Sequence, residues 1–378
     1  MYISTYDELA AFCDRASAFP AVAIDTEFLR ERTYHARLCL VQAATPEECA
    51  VIDPIVIEDL SPLAALLSDE TILKVFHACS QDMEVLYHAM DVLPAPIFDT
   101  QVAAAFAGER QQCAYNALVH AFCGVDLPKS ESLTDWSRRP LTPEQIDYAV
   151  DDVRYLILAY DALAEKLREL GRMDWALDEM RPLERLESYV MDPRAAYKKV
   201  KRVGSLTRRQ QAVARELAAW RERRAERMDV PRKWVMSDEV LVALSKRPPV
   251  TVEDFRRVRG TEQLSERDVD AALVAVERGA RCPAENLPNQ VRPRRAAASP
   301  ELESVTDLMF ALLRLVSERS GVATSLIASR EDLLDYIDHP ERSRLRDGWR
   351  FELVGTLMDD LLSGGIGLTV KGRAIEIL

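Results

Sequence analysis

The chain has 378 residues, of which 48% are hydrophobic and 29% charged, a composition that excludes a largely disordered or collagen-like polypeptide and gives room for two or three domains. The opening segment MYISTYDELAAFCDRASAFP carries acids where a signal peptide carries bases, and no stretch approaches about 18 uncharged apolar residues, so neither a secretory leader nor a membrane span is expected and a cytoplasmic location follows. Seven cysteines without a C-x-x-C pair, and five histidines never at a zinc-ligand spacing, point to reduced and mostly buried thiols rather than a zinc site.

In chain order, FPAVAIDTEF, RLCLVQAA and CAVIDPI are short runs rich in Val, Ile, Leu and Cys, and read as three consecutive strands able to form a meander. LSPLAALL and ILKVFHA read as a helix and a strand. From Cys79 onward the pattern is helical apart from an edge strand at PIFDT. This mixture predicts an α/β layer architecture, a mixed sheet with helices on its faces. VMDPRAAYKKVKRVGS (190–205) and CPAENLPNQVRPRRAAASP (282–300) read as linkers, and beyond the first of them only helical periods are found. Thr207 with Gln210, Ser237 before Asp238, Thr251 with Asp254 and Ser265 with Asp268 each mark a helix start, which predicts a small bundle of four or five helices.

Charge is partitioned along the same breaks. Residues 1–196 hold 16 Lys+Arg and 34 Asp+Glu, net -18; residues 197–295 hold 24 and 14, net +10; residues 296–378 hold 9 and 14, net -5. A basic island inside an acidic chain is either a solvated helix surface or the electrostatic footprint of a polyanion partner.

Three places concentrate candidate chemistry. Asp25 and Glu27 follow the alternation of Val22 and Ile24, and residues two apart in a strand point to one side, so both carboxylates face one place at the strand's end. Acids also end strands for no functional reason. Asp82, in HACSQDMEVLYHAM, falls early in a helix, where it also complements the positive helix end by about 0.3–1 kcal/mol. In LTPEQIDYAVDDVRYLILAY, Thr142, Pro143 and Gln145 form a capping box that fixes the helix register. Tyr148 and Asp152, four apart, then share a face, while Asp147 and Asp151 point elsewhere as solvated charges.

D-T-E at 25–27, H-A-x-x-x-D at 77–82 and Y-x-x-x-D at 148–152 resemble, in order and context, the three motifs of the DEDD exonuclease superfamily in its tyrosine-containing branch. WSRRPLTPEQIDYAVDD (136–152) is similar to the sequence that the ribonuclease D family carries before its third motif. LTRRQQAVARELAAWRERRAERMDVPRKWVMSDEVLVAL (206–244) looks like the HRDC module of helicases and RNase D, and the residues after 300 resemble the second, more divergent HRDC-like domain of bacterial members. Thr134 stands where the family often has Ser, a departure that touches nothing catalytic.

The resemblance implies a ribonuclease H-like mixed-sheet exonuclease domain at 1–196, then two small all-α HRDC-type bundles: a basic, nucleic-acid-binding one at 206–287 and a divergent one at 300–378. It implies a 3′-5′ exoribonuclease that releases nucleoside 5′-monophosphates from tRNA precursors and other small structured RNAs. Two divalent cations, Mg²⁺ or Mn²⁺, serve this chemistry, since an all-oxygen donor set selects hard ions over zinc. By resemblance Asp25 bridges both ions, Glu27 and Asp152 hold the one carrying the attacking water, and Asp82 holds the second largely through water. Tyr148 orients the nucleophile, and its ordinary pKa near 10 suits a positioner better than a base. Lys129, Arg138 and Arg139 are candidate phosphate contacts. Phe28 and Trp136 are candidate stacking platforms for terminal bases, with core packing equally open. His77 is expected to be structural. No membrane partner is implied, and a monomer is expected. A DNA exonuclease, or an RNA-binding scaffold without catalysis, are the competing readings.

Overall fold

The computed structural model describes residues 1–127, 134–289 and 299–378; Lys129 lies outside the described residues. The chain forms two compact units, one of residues 1–28, 38–185 and 298–378, the other of residues 29–37 and 186–297.

The first unit opens with β1 (Tyr2–Ile3), α1 (Tyr6–Ala16), β2 (Ala21–Leu29), β3 (Arg37–Ala44), β4 (Cys49–Ile52), α2 (Ser61–Ser68), β5 (Leu73–Phe76), α3 (Ser80–Met90) and β6 (Ile97–Asp99). It continues through α4 (Thr100–Phe106), α5 (Tyr115–Cys123), α6 (Pro143–Arg154), α7 (Leu156–Glu169) and α8 (Met173–Met180). Six strands lie in the order β1-β4-β3-β2-β5-β6. β4 is antiparallel to β3, whereas β1 runs parallel to β4, and β5 parallel to both β2 and β6. The three early strands, the strand before Cys79 and the edge strand at PIFDT are all present. The sequence pattern missed β1, which at two residues is too short to show a period.

β2 sits near the middle of the sheet. Ala21 and Ala23 on one of its faces join Val75, Val153, Leu156 and Ile157 in an apolar cluster, which presses the α6–α7 corner onto that face. Small side chains on the strand let the helices come close, and the alternation that points Ala21 and Ala23 toward α6 points Asp25 and Glu27 the same way. Position in the fold thus follows from a period of two.

Residues after 299 pack into this unit. α14 (Pro300–Ser320), α15 (Thr324–Ile327), α16 (Arg330–Asp338), α17 (Gly348–Arg350) and α18 (Thr356–Ser363) contribute Met309, Leu313, Trp349 and Met358 to one cluster with Phe98, Phe106, Leu163 and Leu167. The Trp349 ring meets Phe106 edge-on at 5.0 Å and stacks on Trp175 at 5.7 Å. Arg350 grips Glu179 with two hydrogen bonds of 2.5 and 2.9 Å. The expectation of helices alone in this region needs one correction: it ends in a hairpin of β7 (Leu368–Lys371) and β8 (Ala374–Ile377). The two-residue turn places Gly372 at φ +66°, where a type II′ turn calls for glycine.

The second unit is a helical bundle of α9 (Arg208–Met228), α10 (Arg232–Val235), α11 (Asp238–Lys246), α12 (Val252–Arg256) and α13 (Glu266–Ala280) around Leu217, Leu241, Phe255 and Val269. All four predicted caps form, with Thr207, Ser237, Thr251 and Ser265 accepting from the backbone N–H three residues on. α9 and α13 run antiparallel in close contact, since a Cβ on Gly279 would stand 2.4 Å from Val213 Cα. The loop that leaves β2 belongs to this unit. The Tyr34 hydroxyl donates to Glu222 Oε2 at 3.0 Å, and the Tyr34 backbone N–H donates to Asp229 Oδ1 at 3.0 Å.

Candidate active site

Three elements carry the candidate carboxylates, and the two on β2 lie in the middle and the second half of that strand. Asp25 and Glu27 come from β2 itself. Asp82 lies in the first turn of α3, buried, and accepts a hydrogen bond from the Thr26 hydroxyl at 2.5 Å. The capping box at the start of α6 is formed: Thr142 Oγ1 accepts from Gln145 N–H at 3.2 Å, and Gln145 Oε1 accepts from Thr142 N–H at 2.9 Å. Gln145 Nε2 also donates to the hydroxyl of Thr134 at 2.8 Å. With that register, Tyr148 and Asp152 stand one turn apart, and the Tyr148 hydroxyl hydrogen-bonds to Asp152.

The electrostatics follow from burial among like charges. Burial pushes Asp25 well up, and Asp82, Asp152 and Glu27 add repulsion. Glu27 is pushed up to about 8, first by burial and then by Asp152 and Asp82. Burial carries Asp152 to about 7 against the opposing hydrogen bond from Tyr148. Asp82 goes to about 6 by burial, moderated by Thr26. Among the described residues no lysine, arginine or histidine pairs with any of the four, so none of these cations offsets the repulsion. As the side chains stand, no three Asp, Glu, His or Cys among the described residues close round a single point as an ion cage. The donor set is nevertheless all oxygen, which fits hard divalent cations and not zinc. Tyr148 is raised by burial and then by Asp152, Glu27 and Asp25, which keeps it a protonated donor at neutral pH.

The candidates for RNA contact fare differently. Arg139 is corrected: it is not a free phosphate ligand. Its Nε and Nη2 both engage Asp53, the latter at 2.7 Å, while Nη2 and Nη1 donate to the carbonyls of Cys39 and Trp136 at 2.8 and 2.7 Å. Asp53 is wholly buried and also accepts from the Tyr2 hydroxyl, so the guanidinium is needed where it is. Trp136 is corrected likewise. Its side chain is 5% exposed and its ring lies 5.8 Å from that of Tyr148, so it buttresses the tyrosine and offers no face to a base. Arg138 is exposed and paired with Asp135 at 3.2 Å. Phe28, next on β2, is half-buried. His77 is held between Thr100 Oγ1 and the Cys113 carbonyl, each at 2.9 Å, and is a structural residue of the α3 start.

Sequence reading missed Tyr115. Its hydroxyl is buried, its ring packs against His77, and its pKa is raised by burial and further by Asp152 and Asp25, against a hydrogen bond with the Tyr155 backbone. Tyr115 opens α5 and lies outside the three motifs; it could have been found only by its place on the α6–α7 side of the sheet.

Fold and site together define a 3′-5′ exonuclease, and residues 1–168 match the 3′-5′ exonuclease family, while residues 210–268 match the HRDC domain. The chain belongs to the ribonuclease D family and is a 3′-5′ exoribonuclease. It is 40% identical to ribonuclease D of Jannaschia sp. over 100% of this chain and 98% of that one, and 39% identical to ribonuclease D of Acidiphilium cryptum over 100% and 96%. The crystal structure of Escherichia coli RNase D, an exoribonuclease involved in structured RNA processing, superposes with a TM-score of 0.82 at 34% identity over 96% of this chain and 98% of that one. Among the described residues no helix is long and apolar enough to cross a membrane.

Proposed function

We propose that this exoribonuclease trims the 3′ ends of tRNA precursors and other small structured RNAs in the cytoplasm, acting as a monomer with two divalent cations, Mg²⁺ or Mn²⁺, held by Asp25, Glu27, Asp82 and Asp152. The observation that carries this reading is the set of four carboxylates, raised by burial and mutual repulsion, with no cation among the described residues paired to them. Bound there, such ions supply an activated water and neutralise charge at the phosphoryl oxygens.

The chain's own residues do the rest. Tyr148, protonated and hydrogen-bonded to Asp152, holds the nucleophilic water by its Oη and leaves proton acceptance to a group of lower pKa. Thr26 fixes the Asp82 carboxylate, and the α6 cap fixes the height of Tyr148 and Asp152. Arg138 and Phe28 remain the candidates for strand contact beside the site. In this reading the chain carries an exonuclease domain at 1–196 and HRDC-type domains at 206–287 and 300–378, the middle one docking RNA.

The test is hydrolysis of matched 3′-tailed RNA and DNA oligonucleotides by the purified protein with Mg²⁺, Mn²⁺ or chelator, products separated by chromatography. Nucleoside 5′-monophosphates released from RNA, and only with metal, are expected. Metal-independent release, or equal cutting of DNA, counts against it.

A further inference from the structure

Two clefts of the HRDC bundle are lined by arginines. Trp220, Arg223, Arg224 and Arg227 recur at helical spacing on α9 and line, with Arg267 and Asp268 of α13, a cleft of about 480 Å³. Arg224 is engaged by Asp268 at 2.7 Å. Arg223, Arg227 and Arg267 are exposed, and no carboxylate among the described residues pairs with them. At the other end of the same antiparallel helix pair, Arg194, Arg215, Arg278 and Arg281 line a second cleft, of about 650 Å³, around the buried Glu216. Glu216 pairs with Arg194 at 2.6 Å, Arg215 at 3.2 Å and Arg278 at 4.0 Å, and Arg281 pairs with Glu277 at 2.8 Å. The first cleft therefore holds four guanidinium groups against one carboxylate, and the second holds four against two.

The helical period joins the two ends. Arg267, Ala271, Val274 and Arg278 lie on one face of α13, and Val274 is 53% exposed. At 1.5 Å per residue, Arg267 and Arg278 stand about 17 Å apart along the axis. Trp220, half-buried against the bundle core, sits at the wall of the first cleft. Planar guanidinium forks suit phosphate oxygens, and an indole face suits any base.

We propose that this α9–α13 face is a track for a single-stranded segment of RNA, with phosphodiesters bound in the two arginine-lined clefts and a base stacked on Trp220. The proposal rests on RNA being the substrate and deepens that reading by giving the strand a footing on the HRDC bundle. An acidic peptide would supply the charge but not the base for Trp220.

The test measures binding of a 5′-labelled single-stranded RNA 12-mer to the full chain in chelator, by anisotropy, across a salt series. The variant Arg223→Ala/Arg227→Ala/Arg267→Ala removes three unpaired cations. With about 0.7 counterions released per phosphate contact, it should flatten the slope of log K against log salt by about 2 and weaken binding about 100-fold at 0.1 M salt. The control Lys246→Ala/Arg247→Ala/Arg259→Ala removes equal charge from positions lining neither cleft and should stay within about threefold, at less than the loss of a single contact. Trp220→Leu should weaken binding without changing the salt slope. Equal losses in the two triple variants, an unchanged Kd in the first, or displacement of RNA by polyglutamate as effective as by unlabelled RNA, would each overturn the track. Every variant keeps the candidate active site, so metal-dependent cleavage by the wild-type chain reads the underlying function separately. A wild type that neither binds nor cuts RNA defeats that reading itself.

Discussion

Replacing Arg139 with alanine should unfold the protein more readily and leave RNA affinity untouched. The side chain of Asp53 is 0% exposed and that of Arg139 18%, so the substitution strands a carboxylate that cannot reach water. Breaking a buried pair from one side costs about 3–5 kcal/mol. The Tyr2 hydroxyl and the Ile55 N–H still serve Asp53, which places the loss at the lower end, ~3 kcal/mol. With a urea slope of about 2 kcal/mol per molar, the transition of the exonuclease unit should move down by ~1.5 M. Burial raises the Asp53 carboxyl, but hydrogen bonds from Arg139 and Tyr2 outweigh it and hold the pKa below its ordinary value. The pair's stabilisation is thus present above the unfolded-state pKa near 4 and is lost as pH falls through the lower folded value. Removing Arg139 should therefore hurt most at neutral pH, and Asp53→Asn in the same background should recover part of the loss. Arg139 also ties the segment leading into α6 to the sheet through the Cys39 carbonyl, so turnover should fall while Kd for RNA holds. A urea midpoint unchanged within about 0.3 M, a small fraction of the shift expected from that slope, together with weakened RNA binding would refute the reasoning and return Arg139 to the substrate.

Asp25→Asn and Asp152→Asn each remove a ligand charge at constant volume and should abolish metal-dependent hydrolysis with the circular dichroism spectrum intact; turnover within about tenfold of wild type for both would remove the ligand assignment, since a lost positioned group costs at least about 10². Tyr148→Phe should slow single-turnover cleavage by roughly 10² to 10⁴ with little change in RNA affinity, and an unchanged rate would make Tyr148 a packing residue. Glu27 and Asp152, raised to about 8 and about 7, contribute stability that is present below their unfolded pKa near 4 and lost as pH rises through 7 to 8. The metal-free protein should therefore melt lower at pH 8 than at pH 5.5, and Mg²⁺ should raise the melting temperature more at pH 8; a larger Mg²⁺ effect at the acid side would contradict this. Ending the chain at residue 297 strips Met309, Leu313, Trp349 and Met358 from the cluster they share with Phe106 and Leu163, and should give an aggregation-prone product by light scattering, whereas a soluble monomer of wild-type melting temperature would show the cluster to be dispensable.

What could be read from the sequence was what the chain decides locally. The α6 register was legible because Thr142, Pro143 and Gln145 settle it within four residues, and Tyr148 and Asp152 then share a face by spacing alone. The period of two did the same for Asp25 and Glu27. That these meet Asp82 depends on a contact between Thr26 and Asp82, 56 positions apart, which no local pattern encodes; only the order of the motifs hinted at it. Arg139 was misjudged for the same reason, its partner lying 86 positions away in the chain. Trp136 is amphipathic enough for either an exposed or a buried role, and Tyr148 beside it decides the matter. The β7–β8 hairpin escaped because each strand has four residues and neither is buried.

The shared cluster also bears on how the protein is made. α4 and α7 leave the ribosome with Phe106, Leu163 and Leu167 finished, yet the side chains that cover them, Trp349 and Met358 among them, are added roughly 180 residues later, about 10 to 40 s at common elongation rates. For that interval the nascent exonuclease fold carries an open apolar flank, and the whole HRDC bundle is synthesised and can fold in between. Completion of the catalytic half is thus deferred until its last segment emerges, which makes the growing chain a natural client for chaperones that hold exposed apolar surface.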